Sequence, residues 1–155
     1  MLENKAPTWD NLQKRNNHGP GWCALCKSEG ESVHHIFISC NCIRAVWVEC
    51  TRLVGCHCSW NGTSIVKAWE EWCSDPILKK FKALPLLVIW GVWMARNNFI
   101  FSHKVCTPEI IVALCFGLLY SLPQSRFIVR HRNVQEVEID RSKPWGFFDG
   151  ASQNN

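Results

Sequence analysis

At 155 residues the chain is about one domain in length, enough to bury a core without a metal holding the whole fold. Hydrophobic residues make up 47%, which excludes bulk disorder, and a formal net charge of +4 permits nucleic-acid contact without the concentrated basic stripe of a dedicated binder. Ten cysteines would suit a secreted disulfide scaffold, but Met1–Lys5 shows no signal-peptide run and Cys50, Cys73 and Cys115 fall on apparent helices as small hydrophobes. A reducing, intracellular compartment is therefore expected.

In chain order, a tail is expected over residues 1–7, then a short helix over Thr8–Arg15 with Thr8 or Asp10 as its cap and Leu12 packing inward. Asn16–Gly21 is rich in turn formers and delivers the chain to Trp22. From there to Cys40 lies the most informative stretch. Cys23 and Cys26 are separated by two residues, His35 follows after eight more, and Cys40 after a further four. Three thiols and one imidazole suit a structural zinc site, which takes four nitrogen or sulfur ligands in a tetrahedron and leaves no position open. Lys27–Ser32 is polar with a glycine and reads as a loop. Val33, Ile36, Phe37 and Ile38 supply apolar cover that keeps water from a metal. A Cys-x-x-Cys pair also serves thiol redox chemistry, but that use accompanies a βαβ pattern, and none surrounds Cys23. Ligand identity stays open at two points, because His34 adjoins His35 and Cys42 lies two beyond Cys40.

Asn41–Gly55 is predicted as a helix, with Ile43, Val46, Trp47, Cys50 and Val54 on one face and Gly55 as its stop. Cys40 at its start would tie a metal site to the core. Cys56-His57-Cys58 reads as a loop rather than a second metal site, since its spacing is poor for ligation. Thr63 or Ser64 caps a second helix reaching Cys73, with Ile65, Val66, Trp69 and Trp72 as its apolar face, and Pro76 breaks it. Ile77–Ala83 is a short amphipathic piece exposing Lys79, Lys80 and Lys82. Pro85 then opens a hydrophobic helix running to about His103, with Leu86, Ile89, Trp90, Trp93, Asn97 and Ile100 as its stripe. Arg96-Asn97-Asn98 interrupts that apolar surface and is expected to hydrogen-bond a neighbouring loop or helix end. Thr107-Pro108-Glu109 starts the last helix, apolar on all sides, which runs to about Ser121. The apolar runs Ala83–Ala95 and Ile110–Tyr120 fall short of the ~20 residues of a membrane-spanning helix and read as core. Most of the nine tryptophans are expected as core anchors. Arg126–Lys143 reads as a polar linker whose basic cluster is balanced by Glu136, Glu138 and Asp140.

The order of these pieces resembles the zinc-binding domain near the C-terminus of plant LINE-type, non-LTR retroelement reverse transcriptases. The resemblance is carried by the Cys23/Cys26/His35/Cys40 pattern, by the lead-in Thr8-Trp9-Asp10-Asn11-Leu12-Gln13-Lys14-Arg15, and by Ile89–Phe101 with its Trp90, Trp93, Arg96 and Asn97. Trp145–Ser152 resembles the opening strand of an RNase H-like domain. The implied organisation is a lead-in at 1–21, a zinc-binding domain at 22–122, a linker at 123–144 and a truncated first strand at 145–155. Asp149 would match the first carboxylate of a two-metal nuclease site, and one carboxylate alone builds no such site. No paired-aspartate polymerase motif, phosphate-binding loop or nucleophile elbow appears.

The expectation is thus a mainly α domain, small and helical, with an N-terminal CCHC zinc knuckle. Cys23, Cys26, His35 and Cys40 would hold Zn2+, and Trp22, Lys27 and His34 are candidate contacts to unpaired RNA or DNA. It would be a non-catalytic module of an intracellular or nuclear protein. Its partners would be nucleic acid and the adjacent reverse transcriptase and RNase H-like domains, with neither a membrane nor a small-molecule substrate among them. The alternative is a structural or protein-interaction module in which zinc only stabilises the fold.

Overall fold

Among residues 6–57 and 60–122, which the computed structural model describes, five α-helices follow one another and no strand forms. These residues lie in one compact unit, Met1–Pro123. The helices are α1 (Trp9–Gln13), α2 (Asn41–Leu53), α3 (Ile65–Ser74), α4 (Leu84–Ser102) and α5 (Pro108–Ser121). A π turn at His35–Ser39 precedes α2, and a 3-10 turn at Leu78–Phe81 precedes α4. Asp149, the 123–144 linker and the 145–155 strand lie outside the described residues.

The helix α2 forms because its apolar residues recur on one face. Ile43, Val46, Trp47 and Cys50 are buried as expected, joined by Thr51, whose hydroxyl donates to the Trp47 carbonyl at 3.0 Å. Gly55, at φ +77°, ends it in the left-handed region that glycine enters without a Cβ penalty. Trp47 stacks on Trp60 with centroids 4.3 Å apart, and both rings meet Trp72 of α3 edge-on. Offset and edge-on aromatic pairs add to the area they bury, so this triad joins α2, the 60–64 loop and α3.

Two helices present faces that differ from the expectation. On α3, Ile65, Ala68 and Trp72 point inward, while Val66 is exposed and Trp69 half-buried. On α4 the buried set is Leu84, Pro85, Val88, Ile89, Gly91, Val92, Ala95 and Arg96. Leu86 and Trp90 point outward, 59% and 45% exposed. This helix is apolar almost all round, so periodicity selects no face. Close approach selects it instead. Gly91 lies against α5, where an added Cβ would sit 3.2 Å from Cys115 Sγ, and the Cys115 thiol donates to the Leu87 carbonyl.

At 19 residues, α4 agrees with the helix predicted from Pro85 to about His103; it outlasts the apolar run Ala83–Ala95, and by length and composition alone it could cross a bilayer. Its interior contacts explain its hydrophobicity instead. It packs on α5, α2 and the π turn, and it carries the buried Arg96.

At the N-terminus, Asn11 rather than Leu12 is the buried residue of α1, its amide donating to the Ala6 carbonyl. Thr8 occupies the N-cap position, but its hydroxyl bonds the Asp10 carboxylate instead of a helix N–H.

Candidate metal centre

The stretch from Gly21 to Cys40 folds as a tight hairpin followed by a wide turn. Trp22 and Gly30 form an antiparallel bridge. The Cys23 N–H donates to the Glu29 carbonyl at 2.7 Å, and the Glu31 N–H to the Gly21 carbonyl at 3.2 Å. Within the hairpin the Lys27 N–H closes on the Cys23 carbonyl at 2.9 Å, and the Leu25 N–H points at Cys23 Sγ at 3.4 Å. Lys27 turns the chain back at φ +58°. Cys23 and Cys26 therefore present their sulfurs to one point.

The second half of the site follows from the four-residue spacing between His35 and Cys40. In an α-helix at 3.6 residues per turn, residues five apart lie about 140° round the axis. The wider turn here, closed by the Cys40 N–H on the His35 carbonyl at 2.8 Å, has i to i+5 bonding and brings the two side chains to one side. The Ser32 hydroxyl accepts the His35 N–H at 3.0 Å and fixes the start of this turn. Ile36, Phe37 and Ile38 are buried behind it, and the Trp47 indole N–H donates to the Phe37 carbonyl at 3.0 Å. Cys40 then caps α2, its carbonyl accepting from the Ile43 and Arg44 N–H groups.

These elements place one ligand atom each from Cys23, Cys26, His35 and Cys40 within 4.8 Å of one another. Around tetrahedral zinc, sulfurs 2.3 Å from the ion lie about 3.8 Å apart, so adjustments of about 1 Å or less would close the group on a metal. His35 Nε2 already sits 3.3 Å from Cys26 Sγ. Cys23, His35 and Cys40 are buried and Cys26 half-buried. The Cys40 thiol hydrogen-bonded to Cys23 draws the latter's pKa down to about 5, and that same contact, with burial, pushes Cys40 far above the thiol range. Two buried sulfurs contending for one proton are relieved by a cation of two positive charges. This donor set fits Zn2+. Three thiolates and the ion sum to −1, taking the formal charge from +4 to +3.

The neighbouring alternatives lie outside the group of four. His34 is exposed, and Cys42 turns its thiol to the Leu25 carbonyl at 3.5 Å. Burial, then the nearby Cys26 and Cys23 sulfurs, raise the Cys42 pKa. Cys56 faces Asp75 across 3.9 Å, and among the described residues no metal-holding group forms there. Of the candidate nucleic-acid contacts, Trp22 is 41% exposed and His34 exposed. Lys27 is exposed at its backbone turn, but its ammonium lies over the Phe99 ring of α4, 4.9 Å from the centroid.

Two features escaped the sequence reading. The first is an ion pair. Glu31 sits fully buried, and its carboxylate takes two bonds from Arg96, from Nη2 at 2.6 Å and from Nε at 3.3 Å. It also accepts the Trp9 N–H at 3.0 Å, while Arg96 reaches the Pro7 carbonyl at 3.3 Å. A buried pair with its remaining polar atoms bonded is the arrangement that tolerates charge inside a protein. It fastens the lead-in, the hairpin and α4 at one point. A polar Glu at 31 and an Arg interrupting an apolar helix at 96 were each visible, but nothing in the spacing pairs residues 65 apart. The second is the surroundings of His35 Nδ1, which faces Glu29 Oε2 at 3.2 Å and Ser39 Oγ at 3.4 Å.

The fold and the donor set define a mainly helical zinc-binding module. A family model described as zinc-binding in reverse transcriptase matches residues 1–47, so this part of the chain is similar to the zinc-binding region of such enzymes. The match covers the lead-in, all four clustered residues and the first half of α2. No curated protein and no solved structure matches the chain.

Proposed function

We propose that the chain is the non-catalytic zinc-binding module of a retroelement reverse transcriptase, of the plant LINE type its motifs resemble, and that it helps hold RNA or DNA. The observation that carries this reading is the gathering of Cys23, Cys26, His35 and Cys40 inside the segment similar to the reverse-transcriptase family. Four protein ligands leave a metal no open position for substrate or water, which supports a structural rather than a catalytic ion. In the longer protein the module would lie between the polymerase and an RNase H-like domain, inside the cell or its nucleus. Trp22 and His34, both exposed beside the hairpin, would stack on or hydrogen-bond unpaired bases.

The test is binding of the zinc-loaded chain to single-stranded RNA and DNA over a range of salt, beside Trp22→Ala. Phosphate contacts release counterions and weaken with salt, and loss of a stacked base costs about 1–3 kcal/mol. The reading expects salt-dependent binding weakened at least about fivefold by Trp22→Ala. Zinc-loaded protein with no salt-dependent binding would contradict it. That result would favour the second reading, a brace between protein domains. The cations Arg96 and Lys27 are already engaged within the fold, and α4 presents Leu86, Trp90 and Met94 outward at helical spacing.

A further inference from the structure

The zinc ligand His35 has two ring nitrogens with different surroundings, and this difference assigns a role to a residue outside the ligand set. Nε2 faces the sulfurs, 3.3 Å from Cys26. To bind a metal it must present a lone pair, so the ring proton resides on Nδ1, which then needs an acceptor. Two are within reach, the Glu29 carboxylate at 3.2 Å and the Ser39 hydroxyl at 3.4 Å. The carboxylate is the closer, and as an anion it makes the stronger bond. Glu29 is also held in place by its backbone, whose carbonyl accepts the Cys23 N–H at 2.7 Å. One residue thus touches both halves of the site, the Cys23 turn through its main chain and the imidazole through its side chain.

We propose that Glu29 is the positioning residue of the metal centre. Its carboxylate takes the His35 Nδ1–H bond and holds the ring in the tautomer and orientation that aim Nε2 at the ion. This rests on the zinc reading of the cluster. Carboxylates that orient metal-bound histidines typically change metal affinity by about 10–100-fold. The Glu29 side chain is 59% exposed, so removing it takes nothing from the core and leaves the fold intact.

The experiment is zinc affinity by competition with a chromogenic chelator for the full chain and for Glu29→Ala, Glu29→Gln and Ser39→Ala. The His35 ring is followed by nitrogen-15 NMR of the zinc-loaded proteins. Expected are loss of affinity by about 10–100-fold in Glu29→Ala, a smaller loss in Glu29→Gln, which keeps an acceptor but no charge, and little change in Ser39→Ala. The Nδ1 proton should exchange with water faster in Glu29→Ala while the backbone spectrum stays unchanged. Wild-type affinity in Glu29→Ala, or a larger loss in Ser39→Ala, would overturn the assignment to Glu29 and leave the zinc site standing. Absence of zinc from the unsubstituted chain would overturn the underlying reading instead.

Discussion

Glu31 and Arg96 show how much of this fold turns on single residues. Their carboxylate and guanidinium are both buried and doubly bonded. Removing one partner leaves a charge without compensation in a low-dielectric interior, a loss of about 3–5 kcal/mol. Glu31→Ala and Arg96→Ala should each destabilise the zinc-loaded chain by that amount in urea unfolding, whereas the double change to Leu and Met should recover most of it. A loss below about 1 kcal/mol in either single variant would mean that the pair is solvated. The sequence shows that Arg96 must find a partner, because it interrupts an apolar helix, but not which one, since the pairing is made only by tertiary packing.

The buried thiols offer a second expectation at this scale. Burial pushes Cys50 up to about 12, with the Cys115 and Glu49 charges adding to it, and pushes Cys115 up to about 11. Only the thiolate reacts, so iodoacetamide at about pH 8 should modify half-buried Cys73 and Cys106 in the native protein and spare Cys50 and Cys115 until it unfolds. Both folded values lie above the ordinary thiol value of 9.0. Their contribution to stability is therefore complete below that value and is lost as pH rises through the folded ones. Mass-spectrometric mapping of the alkylated peptides checks the first point, and unfolding free energy against alkaline pH checks the second.

At the scale of elements, legibility depended on whether one face of a helix stands out. For α2 it does, and Ile43, Val46, Trp47 and Cys50 could be placed from spacing alone. For α4 and α5 it does not. Leu86 and Trp90 read as core because the helix is apolar on nearly every side, and the buried face was chosen by Gly91 meeting Cys115. The π turn was hidden for a related reason. The His35–Cys40 spacing suits no α-helical face, and only the need to bring both ligands together explains a wider turn. The tryptophans divide as packing requires, with Trp47, Trp60 and Trp72 in a buried triad and Trp22 and Trp90 outside it. Trp60→Ala should cost about 3–5 kcal/mol, as large aromatic truncations in cores do. Trp47→Phe keeps a ring but strands the Phe37 carbonyl, at a cost of about 1 kcal/mol. Comparable small losses in both would show that the triad is loosely packed.

At the scale of the whole molecule, the zinc-binding segment and the helical core lie in one compact unit and should fold cooperatively. The segment similar to the reverse-transcriptase family ends at residue 47, yet several of its side chains find their partners beyond it. Glu31 is paired by Arg96 of α4, Lys27 rests on Phe99, and Phe37 faces Trp93 with centroids 6.4 Å apart. A peptide of residues 1–47 contains every clustered ligand but leaves these contacts unmade. Because metal binding and folding share one free energy, it should bind zinc more weakly than the full chain and show little helix by circular dichroism. Equal affinity would mean that the knuckle is autonomous. The composition and the ligand spacing made the helical class and the metal legible; the dependence of one on the other was not, because it runs through long-range pairs.

Cys23, Cys26, His35 and Cys40 should together hold one structural zinc ion. Elemental mass spectrometry of the full chain purified under reducing conditions, beside Cys40→Ser, tests it most directly. One zinc per chain is expected, lost in Cys40→Ser together with much of the cooperative unfolding transition. A well-folded chain with no zinc, or Cys40→Ser retaining a full equivalent, would contradict it.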